Sequence, residues 1–294
     1  MYAAMQNSPL RAGSAVTPLS EGSPCKNGSK VMTQLPRLVQ YLDGLLENPT
    51  YRDSSLNGLQ VETSSQEITK AAFAVDAAEA TILKAAEAGA QLLVVHHGLF
   101  WTGSGQSGGP LTGILARKIE LLMRSGISLY VSHLPLDGNM TLGNNVELAR
   151  YFGAERLEPF CEYSGSTIGC KGVLPAPVPL ESLVARAREL VKGSKSATNG
   201  LPLTLNFGPQ LISSIGFVSG SGSLALGTVA AEQLDLLISG EAKHEAYHLA
   251  RELKVNALFC GHYRTETFGV AALQRRLEKE FNLSTLFVEH DSGI

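Results

Sequence analysis

The chain has 294 residues, 44% of them hydrophobic and 17% charged, with a formal net charge of −3 at neutral pH. That is an ordinary globular composition, long enough for about two domains. The mild charge offers no field for nucleic acid or acidic lipid, and no apolar run reaches the roughly 20 residues of a membrane helix, so neither partner is expected. Cys25, Cys161, Cys170 and Cys260 stand apart with no Cys-x-x-Cys pair, which indicates neither a disulfide framework nor a zinc ribbon and suits a reducing, cytoplasmic setting.

Residues 1–31 are rich in Ser, Gly, Pro and Ala without helical or strand period. They bury too little surface to offset their ordering entropy and are expected to be a disordered extension. Arg11, Lys26 and Lys30 are present, but the Arg-rich amphipathic pattern of a transit peptide is not.

From Met32 the pattern changes. Leu35, Leu38, Val39, Leu42, Leu45 and Leu46 recur with a helical period. Ala71–Val75 reads as a strand, Ala78–Ala88 as a helix stopped at Gly89, Leu92–Val95 as a buried strand, Leu111–Ser125 as a helix and Ile127–Val131 as a strand. The Gly103–Gly109 loop reads as a flexible lid or a plain connector. The second half continues with helix Glu181–Val191, strands Leu201–Phe207 and Ile212–Val218, and helix Leu224–Glu232. Strand Leu234–Ile238, helix Ala242–Leu253, strand Val255–Phe259, helix Thr265–Glu280 and strand Thr285–Val288 follow. Short apolar strands, each followed by a helix, predict α/β layers with largely parallel pairing.

Three of the strands run into polar clusters: His96-His97-Gly98, Ser132-His133-Leu134-Pro135-Leu136-Asp137, and Gly261-His262-Tyr263-Arg264-Thr265-Glu266. Ligands collect beyond the carboxyl ends of such strands. Imidazole and carboxylate without a thiol cluster are the donors of zinc, iron or manganese. Adjacent His96 and His97 leave the strand on different sides and suit two neighbouring ions, while His262 and Glu266 share a helical face. A lone strand-end histidine is more often a hydrogen-bonded structural residue, but three coincident clusters favour metal. His133 is a ligand or a supporting donor. Glu241 and His244, at a fourth strand end, orient ligands, touch substrate or cap a helix. Gly220-Ser221-Gly222-Ser223 serves as a phosphate cradle or a tight turn, Cys260 as a core thiol, and Phe100 and Trp101 as a stacking surface for a base or an apolar wall.

These clusters, together with Ser239-Gly240-Glu241-Ala242-Lys243-His244 and Asn57-Gly58-Leu59-Gln60-Val61, resemble the Nif-three-like dinuclear metal centre family, whose members are often labelled GTP cyclohydrolase 1 type 2 homolog. The resemblance runs from about Met32 to Val288. It implies two divalent ions per subunit (Zn, Fe, Mn or Co) held by His96, His97, Asp137, His262 and a shared Glu266. It further implies two interleaved α/β domains, 32–132 with 270–294 and 133–269, in a homohexamer. Many relatives have proline where this chain has Gly98, a difference that removes no ligand. Three functions fit: hydrolysis of a nucleotide or related phosphorylated small molecule, metal storage or delivery, and a metal-stabilised scaffold. Hydrolysis is the preferred expectation, with Glu241, His133 and His244 as candidates for moving protons.

Overall fold

The computed structural model describes residues 32–102, 109–194 and 200–294; the expected disordered extension, 1–31, and most of the Gly103–Gly109 loop lie outside the described residues. In chain order the first half forms β1 (Thr33–Gln34), α1 (Leu35–Leu46), β2 (Gly58–Val61), β3 (Glu67–Ile68), β4 (Lys70–Asp76), α2 (Glu79–Glu87), β5 (Leu92–His97), α3 (Gly113–Ser125) and β6 (Ser128–Val131). Then come α4 (Leu134–Gly138), α5 (Asn144–Phe152), β7 (Glu155–Tyr163), β8 (Ser166–Pro179), α6 (Leu180–Val191), β9 (Leu203–Leu205) and β10 (Leu211–Val218). The chain continues through α7 (Leu226–Ala231), β11 (Leu236–Ser239), α8 (Ala246–Leu253), β12 (Asn256–Phe259), α9 (His262–Phe281) and β13 (Ser284–Phe287).

The fold is α/β, and its two larger sheets share one logic. In the first, ordered β13-β4-β5-β6-β2, the four strands from β13 to β6 are parallel and only the edge strand β2 is antiparallel. Both faces are covered, which explains the continuous apolar runs of β4 and β5. One face packs Phe73, Leu92 and Val94 under Leu38 and Leu42 of α1 and Leu273 and Leu277 of α9. The other packs Ala72, Leu93 and Val95 against Ile82 of α2 and Leu122 of α3. In the second sheet, ordered β7-β8-β10-β11-β12-β9, β10, β11 and β12 are parallel. It is covered by α5 and α6 on one face and by α7 and α8 on the other. No helix among the described residues is long and apolar enough to cross a membrane.

The structure departs from the sequence reading where period is weak. The long antiparallel pair β7–β8 had no apolar alternation to announce it, and Pro175, Pro177 and Pro179 argue locally against a strand. These prolines fall in the exposed last third of β8, where a missing N–H costs little. The expected helix Ala242–Leu253 begins only at Ala246; residues 241–245 are loop and turn. Conversely, α9 starts at His262, three residues before the helix read from the sequence.

Candidate metal centre

Three chain segments deliver five donor side chains to one point. β5 ends on His96, fully buried, and His97. Beyond β6 the chain turns into α4, which carries Asp137, 7% exposed. Beyond β12 the first turn of α9 presents His262 and, one turn on, Glu266, 3% exposed. The Glu266 carboxylate is the hub. Its Oε1 lies 3.1 Å from Nε2 of His262 and 3.5 Å from Nε2 of His96, and its Oε2 lies 3.3 Å from Nε2 of His97. Asp137 Oδ2 faces the same His96 Nε2 at 3.6 Å.

Four of the five donors are braced from behind. His96 Nδ1 lies 2.9 Å from the carbonyl oxygen of Ser132, and His97 Nδ1 lies 2.8 Å from Asp76 Oδ1. His262 Nδ1 is 3.3 Å from Glu241 Oε1. Asp137 Oδ1 accepts from Asn144 Nδ2 and Ser219 Oγ, both at 2.9 Å. A partner on one ring nitrogen leaves the other free for a cation and fixes the ring plane, as around bound metals. The donors overlap in three groups, His96–Asp137–Glu266, His97–His262–Glu266 and His96–His97–His133, each with its ligand atoms within 4.8 Å of one another. Nε2 of His96 and Oε2 of Glu266 are buried with no hydrogen-bond partner. Buried polar atoms are nearly always paired, so an orphaned nitrogen and oxygen facing each other's neighbourhood fit a divalent cation.

Charge tells the same story. Burial alone pushes the His96 pKa down, but the carboxylates of Asp137 and Glu266 more than offset it and raise it to about 10. For His262, burial is likewise outweighed by Glu266 and Glu241, giving about 9. Burial raises the Glu266 pKa, yet the surrounding His97, His96 and His262 hold it well below the ordinary carboxylate range. A metal ion held by these groups would therefore compete with protons for the same atoms.

The three residues expected to move protons fare differently. His133 joins the cluster: its ring centroid is 5.0 Å from that of His96 and 5.6 Å from that of His97. Its Nδ1 is held 2.9 Å from Asp53 Oδ1, its backbone N–H donates to Asn57 Oδ1 at 2.7 Å, and Asn57 Nδ2 donates to Asp53 Oδ2 at 2.9 Å. Burial raises the Asp53 pKa, but bonding to His133 and Asn57 brings it down to about 2. Glu241 sits on the Nδ1 side of His262 and bonds Ser221, so it orients a donor rather than facing the cluster. It caps nothing, since Glu245 precedes α8 and no side chain caps that helix. His244 is not brought to the cluster. It is exposed in the turn before α8, with its ring 6.0 Å from that of His248.

Asp53, Asp76, Asn144 and Ser219 were absent from the sequence reading. One of them left a signal: in the parallel register of β4 and β5, Asp76 stands opposite His97. Trp101 stands edge-on to His133, with centroids 4.9 Å apart, whereas Phe100 packs on the core instead of walling the site. Cys260 is a core thiol, which burial pushes up to about 12. Arg264 is taken by Asp291 at 2.9 Å.

The Gly220–Ser223 turn is a spacer for the cluster. Gly220 has φ +60°, and a Cβ there would overlap the Glu266 carboxylate and stand 3.2 Å from Nε2 of His262. Gly98 is equally pinned, since a Cβ would come within 2.6 Å of Val131 Cγ2. Gly220→Ala is therefore expected to displace Glu266 and weaken metal binding by about 10-fold or more while the fold persists. Elemental analysis beside circular dichroism checks this, and an unchanged metal content would refute the close packing.

Residues 33–292 match the Duf34/NIF3 (NGG1p interacting factor 3) family. The chain is 40% identical over 259 residues to a GTP cyclohydrolase 1 type 2 homolog of Pyrococcus horikoshii, covering 87% of this chain and 98% of that one. It is 39% identical over 255 residues to a protein of the same name from Archaeoglobus fulgidus, covering 87% and 97%. Among solved structures it resembles the TTHA1606 protein of Thermus thermophilus, with TM-score 0.79 and 37% identity over 89% of this chain and all of that one. With the matched length and the similarity to these relatives in agreement, the chain belongs to the Duf34/NIF3 family.

Proposed function

We propose that the chain is a metal-dependent hydrolase that holds two divalent cations between His96, His97, Asp137, His262 and Glu266 and acts on a nucleotide or related small molecule. The observation that carries this reading is the position of Glu266. It is a buried carboxylate with one oxygen toward His96 and His262 and the other toward His97, an arrangement suited to being shared by two ions. Bound there, such cations supply Lewis acidity toward water and toward a substrate oxygen.

The chain's own residues do the rest. A cavity of about 260 Å³ adjoins the donors and is lined by His133, Asp137, Glu266, Lys243 and Tyr163 among others. Asp53 holds His133 by Nδ1, so its other ring nitrogen carries a proton to or from a substrate in that cavity. Trp101 limits water on the His133 side and offers a flat apolar edge to a heterocycle. Lys243 is exposed at the rim and meets a substrate's negative charge. The name of the curated relatives, GTP cyclohydrolase 1 type 2 homolog, supports a purine nucleotide as the first substrate to try.

The test is a screen of purine nucleotides and phosphoesters with manganese, zinc, iron or cobalt. Turnover is expected with at least one metal, abolished in Asp137→Ala. His133→Ala is expected to keep its metal and lose about 10²–10⁴-fold in kcat. Inactivity with every metal overturns the hydrolase reading in favour of metal storage or delivery. Loss of metal from His133→Ala would make His133 a ligand instead of a proton carrier.

A further inference from the structure

The cluster has a second cavity behind it. A space of about 560 Å³ opens beyond the carboxyl ends of β4 and β13. It shares only His97 and His262 with the donor-side cavity. Its side of His97 is the Nδ1 side, where Asp76 stands, while Nε2 points the other way to Glu266. Asp137, His133 and Glu266 do not reach it. A ligand in this space would therefore touch the back of the donor shell and not its open face.

Its lining has a definite chemistry. Lys118, half-buried on α3, has no ion pair or hydrogen bond among the described residues. His290 and Ser292 come from the last segment of the chain. That segment is fixed: Arg264 pairs with Asp291 at 2.9 Å, both mostly buried, and the His290 N–H donates to the Tyr263 hydroxyl at 3.0 Å. The Lys84 ammonium donates to the Glu289 carbonyl at 2.8 Å. The one carboxylate side chain among the lining residues, Asp76, is already engaged by His97. Val75, Ala77, Ala78 and Ile294 add apolar surface to the same lining. A concave site with an apolar side and a few convergent polar groups is the usual form of a small-molecule pocket, and the volume lies within the usual ligand range. A lysine left without a counter-charge in such a space favours an anion over a neutral or cationic guest.

We propose that this cavity is a second ligand site, separate from the donor face, that binds a small organic anion through Lys118 and His290 with its apolar body against Val75, Ala77 and Ala78. The proposal does not require that the metal centre hydrolyse anything. The test is calorimetric titration of the full chain with phenyl phosphate, in metal-loaded and chelator-treated samples. Binding is expected in both. In the chelator-treated sample Lys118→Met is expected to weaken it about 10-fold or more and His290→Ala by a smaller factor, while Lys243→Met, on the donor-side cavity, leaves it intact. No binding up to about 10 mM, tenfold weaker than a millimolar ligand, overturns the proposal. So does binding that vanishes with chelator and with Lys243→Met but not with Lys118→Met, which would put the anion on the donor face. Neither failure bears on turnover, which the nucleotide screen measures separately.

Discussion

Replacing Glu266 with alanine is expected to empty the whole centre, whereas His96→Ala or His97→Ala mainly empties one position. The reason is geometric: the two oxygens of Glu266 face three imidazoles between them, at 3.1 to 3.5 Å. If two ions share Glu266, as proposed, removing the carboxylate takes a ligand and a negative charge from each at once. Loss of even a supporting partner costs about 10–100-fold in metal affinity, so loss of a shared ligand exceeds that. The alanine variant also leaves His96 with Asp137 alone and His262 with Glu241 alone to offset their charge, a loss of up to about 3–5 kcal/mol for a broken buried pair. Glu266→Gln is the companion variant, since it keeps the volume and one acceptor oxygen. Elemental analysis of both, with a melting curve to establish folding, decides the matter. Near-stoichiometric metal in the triple variant lacking His97, His262 and Glu266 would sink the ligand assignment.

The donors were legible in the sequence because each sits within a few residues of a strand end, and buried strands are the easiest elements to see. His96 and His97 close β5, and His262 and Glu266 open α9. Several of the supporting contacts were not legible, because their partners lie far apart along the chain. Asp53 reaches His133 across 80 residues, and Ser219 reaches Asp137 across 82. Asn57 belonged to a recognised early motif, yet its task, fixing the His133 backbone and Asp53, appears only in three dimensions. His244 shows the opposite failure. Its motif was visible, but assigning it a role required knowing that α8 begins two residues later, at Ala246. The β7–β8 pair was hidden by its exposed faces and by the prolines of β8, whose cost is low only because that stretch is exposed. Local pattern located the chemistry; long-range pairing had to supply its orientation.

Metal-loaded and metal-free protein should respond to pH in opposite senses, and this gives the sharpest check on the centre. In the metal-free chain the pKa values of His96 and His262 are raised, to about 10 and about 9. Their pairing with carboxylates therefore stabilises the fold fully below the unfolded value near 6.5, and that stabilisation is lost as pH rises through 9 to 10. Glu266 is depressed below its ordinary 4.5, so its contribution is present above that pH and is lost as pH falls toward the folded value. Cations need the same imidazoles neutral, so each binding event must expel their protons. At pH 7 to 8 metal binding is expected to release about two protons, and apparent affinity is expected to fall by about 100-fold per unit of falling pH in that range. Calorimetry in buffers of differing ionisation heat counts the protons. The Tm gap between loaded and chelator-treated protein should widen from about pH 6 to about pH 9, as affinity rises while the metal-free fold loses its internal pairs. A gap independent of pH, with no proton release, would mean that metal binds elsewhere and that the buried cluster is held by its own charges alone.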